Sequence, residues 1–209
     1  MSHSIPEKQT LRGGVILFHG VLNPRYALWP LQRRFRRAGF QVLNCRYQSW
    51  GKSIDQIVEV VAPKCQYFQD QLPDNVPLYI VGHSLGAIVC RKLLQEIELP
   101  QLKRVVMLAP PNRGSHVASR LAKYVRWLVP SLEELADNPE SYVNCLPTSL
   151  PVEFGVIAAD PDYVIRSECT HLESESDYIV EPGPHSAIIF RKPVFEHSLH
   201  CLEHGRFKR

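Results

Sequence analysis

The residues best placed to do chemistry lie in Gly82-His83-Ser84-Leu85-Gly86. An apolar run, Leu78-Tyr79-Ile80-Val81, leads into them and reads as a buried strand. The segment that follows, Ala87 to Ile97, reads as a helix. A serine on so tight a strand-to-helix turn must take a strained backbone conformation. It needs small neighbours, and Gly82 and Gly86 supply them. The turn lifts Ser84 Oγ clear of the sheet. It also aims the Leu85 amide, at the helix N-terminus, toward any anion that forms alongside. This placement serves attack by a hydroxyl. The hydroxyl is a poor nucleophile at neutral pH. It needs a base to accept its proton and a carboxylate to orient that base.

The elements that must bring such groups together can be read from apolar periodicity. The chain has 209 residues, enough for one domain that buries roughly 70% of its unfolded surface. Residues 1–12 read as a flexible lead, and 13–209 as one domain with no internal repeat or linker. Apolar runs at Gly14–Gly20, Phe40–Tyr47, Leu78–Val81, Lys103–Ala109, Val152–Ala159 and Asp177–Val180 read as strands. Helical spacing marks Tyr26–Ala38, a segment capped by Ser53 with Gln56 three residues on, Val117–Val129 and Pro193–His204. Pro63 should interrupt and kink the second of these. Strand alternating with helix, with apolar runs for most strands, predicts an α/β fold. Its central sheet has about six mostly parallel strands, covered by helices on both faces. In such sheets function gathers at the carboxyl ends of the strands.

Composition narrows the function classes. A hydrophobic content of 44%, a charged content of 22% and a net charge of +3 suit a globular protein and offer no field for nucleic acid. No run of about 18 apolar residues is present to span a membrane, and the first residues lack the apolar core of a secretory signal, so the expected location is cytoplasmic. The six cysteines are scattered. Cys45, Cys65 and Cys90 fall on apolar faces and read as buried free thiols. His197, His200 and His204 recur at helical spacing, but no recognised zinc pattern is present, so neither metal nor cofactor is expected. The arginines at 33, 34, 36 and 37 lie mostly off the apolar stripe of their helix and read as a solvated face.

The Gly-His-Ser-Leu-Gly segment, between its strand and its helix, resembles the nucleophile elbow of the α/β-hydrolase superfamily, in the form that small lipases and esterases carry. His19-Gly20 after the first strand resembles the loop that supplies the second oxyanion-hole amide. The resemblance therefore assigns the backbone N–H groups of Val21 and Leu85 to the oxyanion, and leaves His19 as a structural imidazole. It also implies the chain order serine, acid, histidine. His185 then fits as the base, because it follows the last strand in a Pro-Gly-Pro loop. The acid falls after the strand ending at Ala159. Asp162-Tyr163-Val164 resembles the family's Asp-Gly-x-Val, although Tyr163 replaces the glycine. Asp160 is the runner-up. Asp177 opens its strand at the wrong end of the sheet. Residues 115–150 stand where larger members insert a lid and leave room for only a short cap. Leu22, Trp29 and Tyr47 are candidates for the pocket lining, and Arg113 is an alternative clamp for a substrate carboxylate.

The function implied is hydrolysis of a small-molecule carboxylic ester through an acyl-enzyme. Two alternatives stand beside it: a thioesterase or acyltransferase using the same site, and a non-catalytic binding module on a hydrolase scaffold.

Overall fold

A computed structural model of the chain describes residues 11–21, 25–125 and 127–209. Six strands form one sheet: β1 (Gly13–Phe18), β2 (Phe40–Asn44), β3 (Leu78–His83), β4 (Leu102–Leu108), β5 (Glu153–Asp160) and β6 (Asp177–Pro182). Their spatial order is β2-β1-β3-β4-β5-β6, and every neighbouring pair is parallel. The order reverses between β1 and β3, and a crevice opens beyond the carboxyl ends of strands at such a reversal.

Alternate residues of each strand feed two separate cores, as the two-residue period of a strand requires. Ile16, Phe18, Ile80, Val105, Met107 and Val156 pack with residues of α2 (Ile54–Asp70) and α3 (Leu85–Glu96). Val15, Leu17, Val81, Val106, Leu108 and Ile157 pack instead with α1 (Trp29–Arg37) and α7 (Lys192–His204). The four central strands are buried on both faces, so they read as nearly continuous apolar runs rather than alternating ones.

Local signals account for the helix ends. Ser53 Oγ accepts from the Gln56 amide, and Gln56 Oε1 accepts from the Ser53 amide, which completes the capping box of α2. Gly205 ends α7 at φ 79°, a left-handed conformation suited to glycine. Pro63 does not interrupt α2, which runs unbroken from Ile54 to Asp70. Pro63 is exposed, so the carbonyl deprived of its partner lies toward solvent. The helix expected over 117–129 divides. α4 (His116–Val125) ends before a turn, and α5 (Pro130–Glu134) starts anew with its proline in the first turn, where a missing N–H costs nothing. A further short helix, α6 (Tyr142–Cys145), sits within the proline-punctuated stretch. Likewise Tyr26–Ala38 begins as a 3-10 turn (Arg25–Leu28) before α1.

Among the described residues, no helix is long and apolar enough to cross a membrane. The six cysteines are free, and Cys45, Cys65, Cys90 and Cys201 are buried.

Candidate active site

Ser84 sits between β3 and α3 at φ 52° and ψ −123°. That pairing lies outside the small left-handed well open to side-chain-bearing residues. The surroundings hold it there. The Ser84 amide donates to the Leu108 carbonyl at the end of β4 (2.9 Å), and the Ser84 carbonyl accepts from Ala87 (2.9 Å). Gly86 is required by contact: a Cβ there would stand 2.4 Å from the Phe18 carbonyl oxygen. The helix can start against the end of β1 only because that atom is missing.

His185 follows β6. The Gly183 amide donates to the Asp160 carbonyl (2.8 Å), and Ala187 to Pro184 (2.8 Å), so the histidine loop is tied to the end of β5 and turned back on itself. Its ring spans two partners. Asp162 Oδ2 lies 2.7 Å from Nδ1, and Ser84 Oγ lies 2.9 Å from Nε2. An ionised carboxylate only accepts, so the Nδ1–H donates to Asp162, and the Nε2 lone pair is left to accept the Ser84 hydroxyl. The Asp162 side chain is only 2% exposed. Its Oδ1 accepts from the amides of Val164 (2.8 Å) and Ile165 (2.9 Å). Burial pushes the Asp162 carboxyl up. The hydrogen bond and charge of His185, with the two amides, outweigh that and hold it below its usual range. The structure thus brings Ser84, His185 and Asp162 together. Asp160 ends β5 with an exposed side chain, and its carbonyl serves the Gly183 amide.

Leu85 is the first residue of α3, so its amide has no carbonyl within the helix to bind. Val21 borders the same cavity as Ser84 and follows Gly20. A Cβ on Gly20 would come within 3.1 Å of His83 Nδ1 and 3.2 Å of Ser84 Cβ, so glycine lets this loop close over the elbow. His19 is buried, with Nδ1 3.0 Å from the Gly20 carbonyl and Nε2 3.2 Å from the Tyr47 carbonyl. Burial lowers its basicity more than those two carbonyls raise it.

Of the three residues expected to line the pocket, two lie away from the cavity beside Ser84 and one is not described. Leu22 lies outside the described residues. Trp29 opens α1 with its ring edge-on to Tyr26 and 56% exposed, and does not border the cavity beside Ser84. Tyr47 does not border it either. Its ring stacks on His19 at 3.9 Å between centroids, and its hydroxyl donates inward to the His19 carbonyl. Tyr47 therefore braces the His-Gly loop from beneath. Arg113 is exposed, outside the cavity, and its amide donates to Cys169. Among the described residues, the walls come instead from α4, α5 and the loop that carries Asp162, through Val117, Ala118, Leu121, Leu132, Leu135 and Ile165.

His83 was not singled out from sequence. It is 1% exposed, and its Nε2–H donates to the His185 carbonyl (3.0 Å), tying the elbow to the histidine loop. Its Nδ1 is buried with no partner among the described residues. Burial, then the nearby His185, push its pKa down to about 3, so the ring is neutral at working pH. The signal for it was available: a histidine on the last position of a fully buried strand is costly unless one ring nitrogen is bonded. Among the described residues, no group of three or more His, Cys, Asp or Glu is arranged to hold a metal.

No protein-family model matches this chain, and no curated protein matches it at a significant level. Solved structures do. The mature form of the lipase BlEst2 from Bacillus licheniformis is similar at a TM-score of 0.77 and 13% identity, over 96% of each chain. Lipase B from Aspergillus fumigatus aligns at 0.72 and 17% identity, over 99% of this chain but 57% of its own. The methylesterase MES16 from Arabidopsis aligns at 0.60 and 16% identity, over 91% of this chain and 99% of its own. At such identities the likeness speaks for architecture, and with the sheet order and the elbow it leads to one statement: the chain has the α/β-hydrolase fold.

Proposed function

We propose that this protein is a serine hydrolase of carboxylic esters. The observation that carries the reading is the unbroken hydrogen-bonded line from Asp162 through His185 to Ser84, at 2.7 and 2.9 Å, on a strained elbow at the topological switch point. Its roles follow from the chemistry of each atom. Ser84 Oγ attacks the ester carbonyl carbon as His185 Nε2 takes the hydroxyl proton. Asp162 holds the Nδ1–H tautomer and stabilises the imidazolium. The amides of Val21 and Leu85 receive the oxyanion, each contributing roughly 2.7–4 kcal/mol to the rate. His185 then gives its proton to the departing alcohol, and the acyl group remains on Ser84. Water, deprotonated by His185, attacks that acyl carbon and releases the acid, and the proton returns to Ser84. Two of the similar solved structures are named as lipases and one as a methylesterase, which supports the ester as substrate. The free thiols support a reducing compartment such as the cytoplasm.

The test is turnover of a panel of p-nitrophenyl esters and acyl-CoA thioesters by the purified protein and by Ser84→Ala. Ester hydrolysis lost on Ser84→Ala is the expected result. Turnover of thioesters alone would replace the reading with a thioesterase, and no turnover of either would favour a binding module.

A further inference from the structure

Beside Ser84 lies a cavity of about 250 Å³ roofed by the cap. Its deep wall is made by buried apolar side chains: Ala118 of α4, Leu132 of α5, Leu135 just after it, and Ile165 of the acid loop. Its mouth is at Leu121, 46% exposed. Ser115 is a polar residue of the lining, but its hydroxyl is already engaged. It donates to the Val164 carbonyl (2.8 Å) and accepts from the Ala118 amide (3.1 Å), which locks the start of α4 to the acid loop. Among the described residues, no Asp, Glu, Lys or Arg lines the cavity. A charged group lodged there would lose its water without gaining a partner, which is prohibitive.

Resting on the hydrolase reading above, we propose that this recess is the acyl pocket, that it selects neutral acyl chains of medium length, and that α4 sets the length. The order of chemical steps assigns it to the acyl side. The alcohol leaves first and water must then reach the same carbon, so a recess closed at its deep end suits the group that stays on the serine. At roughly 30 Å³ for a water-sized group, the volume admits a chain of about eight heavy atoms. Val117 and Leu121 lie one helical turn apart on α4, so both face the chain along its length.

Two measurements test this, one free of turnover. On the Ser84→Ala protein, methyl octanoate should stabilise against heat, and methyl acetate and the mono-methyl ester of suberic acid should not. Val117→Trp on that background, which fills the recess, should abolish the octanoate effect. In the active protein kcat/KM on p-nitrophenyl esters should peak near C6–C8. Val117→Trp should lower the ratio of octanoate to acetate turnover at least about tenfold, in line with the one to three kcal/mol of an apolar pocket mismatch. Equal stabilisation by the three methyl esters, or loss of acetate and octanoate turnover alike in a folded Val117→Trp, would overturn the pocket assignment. An octanoate-selective heat shift in a protein without esterase activity would keep the pocket and refute the hydrolase.

Discussion

Ser84 carries a backbone conformation that its side chain resists, and that resistance is measurable apart from catalysis. Ser84→Ala and Ser84→Gly both remove the hydroxyl, so the difference between them reports on the backbone alone. Sparsely populated φ/ψ regions cost of order 1–3 kcal/mol. At φ 52° and ψ −123°, well away from the left-handed well, the upper end applies. Against that relief, glycine forfeits burial of one methyl-sized group, about 0.8 kcal/mol, because Ser84 is 8% exposed. It also forfeits roughly 0.5–1 kcal/mol in backbone freedom gained by the unfolded chain. The balance leaves Ser84→Gly more stable than Ser84→Ala by about 1.5 kcal/mol, or roughly 3–6 °C in Tm for a domain of this size. At an ordinary helix-start position alanine would not lose to glycine by so much. Urea and thermal unfolding of the two variants provide the assay. An alanine variant equal to or more stable than the glycine variant would mean that the elbow is not strained, and that the glycines around it serve some other purpose.

Other consequences are as direct. Asp162→Asn should keep the fold and lower kcat about 10³–10⁴-fold, because an amide holds the wrong tautomer of His185. Asp160→Asn should stay within about twofold, as a solvent-facing change does, and the reverse ranking in ester turnover would move the acid to Asp160. Between pH 6.5 and 3 the unfolded chain takes up a proton at His83 that the folded chain refuses, so stability falls as pH drops through that window. Asp162, held low in the folded state, adds a loss of the same sign at the acid end. His83→Gln retains a donor for the His185 carbonyl but cannot ionise. Its loss of stability from pH 7 to pH 4, followed by urea midpoints, should be smaller than wild type by about 3 kcal/mol, and parallel curves would refute the neutral buried ring. His83→Phe removes the donor to the His185 carbonyl as well, so kcat should drop with KM little changed and recover in His83→Gln.

Much of this was legible in the sequence because the signals were strong and local. Strands buried on both faces give unbroken apolar runs, so the six strands fell close to their true positions. The elbow announced itself through the glycines that its contacts demand. The resemblance to the α/β-hydrolase superfamily supplied the chain order that put His185 after the last strand and the acid after β5, and Asp162 lies 2.7 Å from His185 with its other oxygen held by the amides of Val164 and Ile165. What the sequence hid were choices made by packing. Tyr47 has the size and polarity of a pocket residue, but its phenol finds a carbonyl inside the fold. Trp29 sits on a helix whose buried stripe is carried by Leu31 and Phe35. Pro63 looked like a break, and exposure made it tolerable. The pocket walls come from α4, α5 and the loop that carries Asp162, far apart in sequence and tied together through the hydrogen bonds of Ser115 to Val164, Ala118 and Leu135.

If His185 and Asp162 make the Ser84 hydroxyl a nucleophile, a fluorophosphonate reports it without any knowledge of the substrate. Treated protein is digested and the modified residue located by mass spectrometry. One adduct is expected, on Ser84, formed rapidly in the wild type and at least about a hundredfold more slowly in His185→Ala. An adduct on another residue, or equal rates of Ser84 labelling with and without the His185 imidazole, would contradict it.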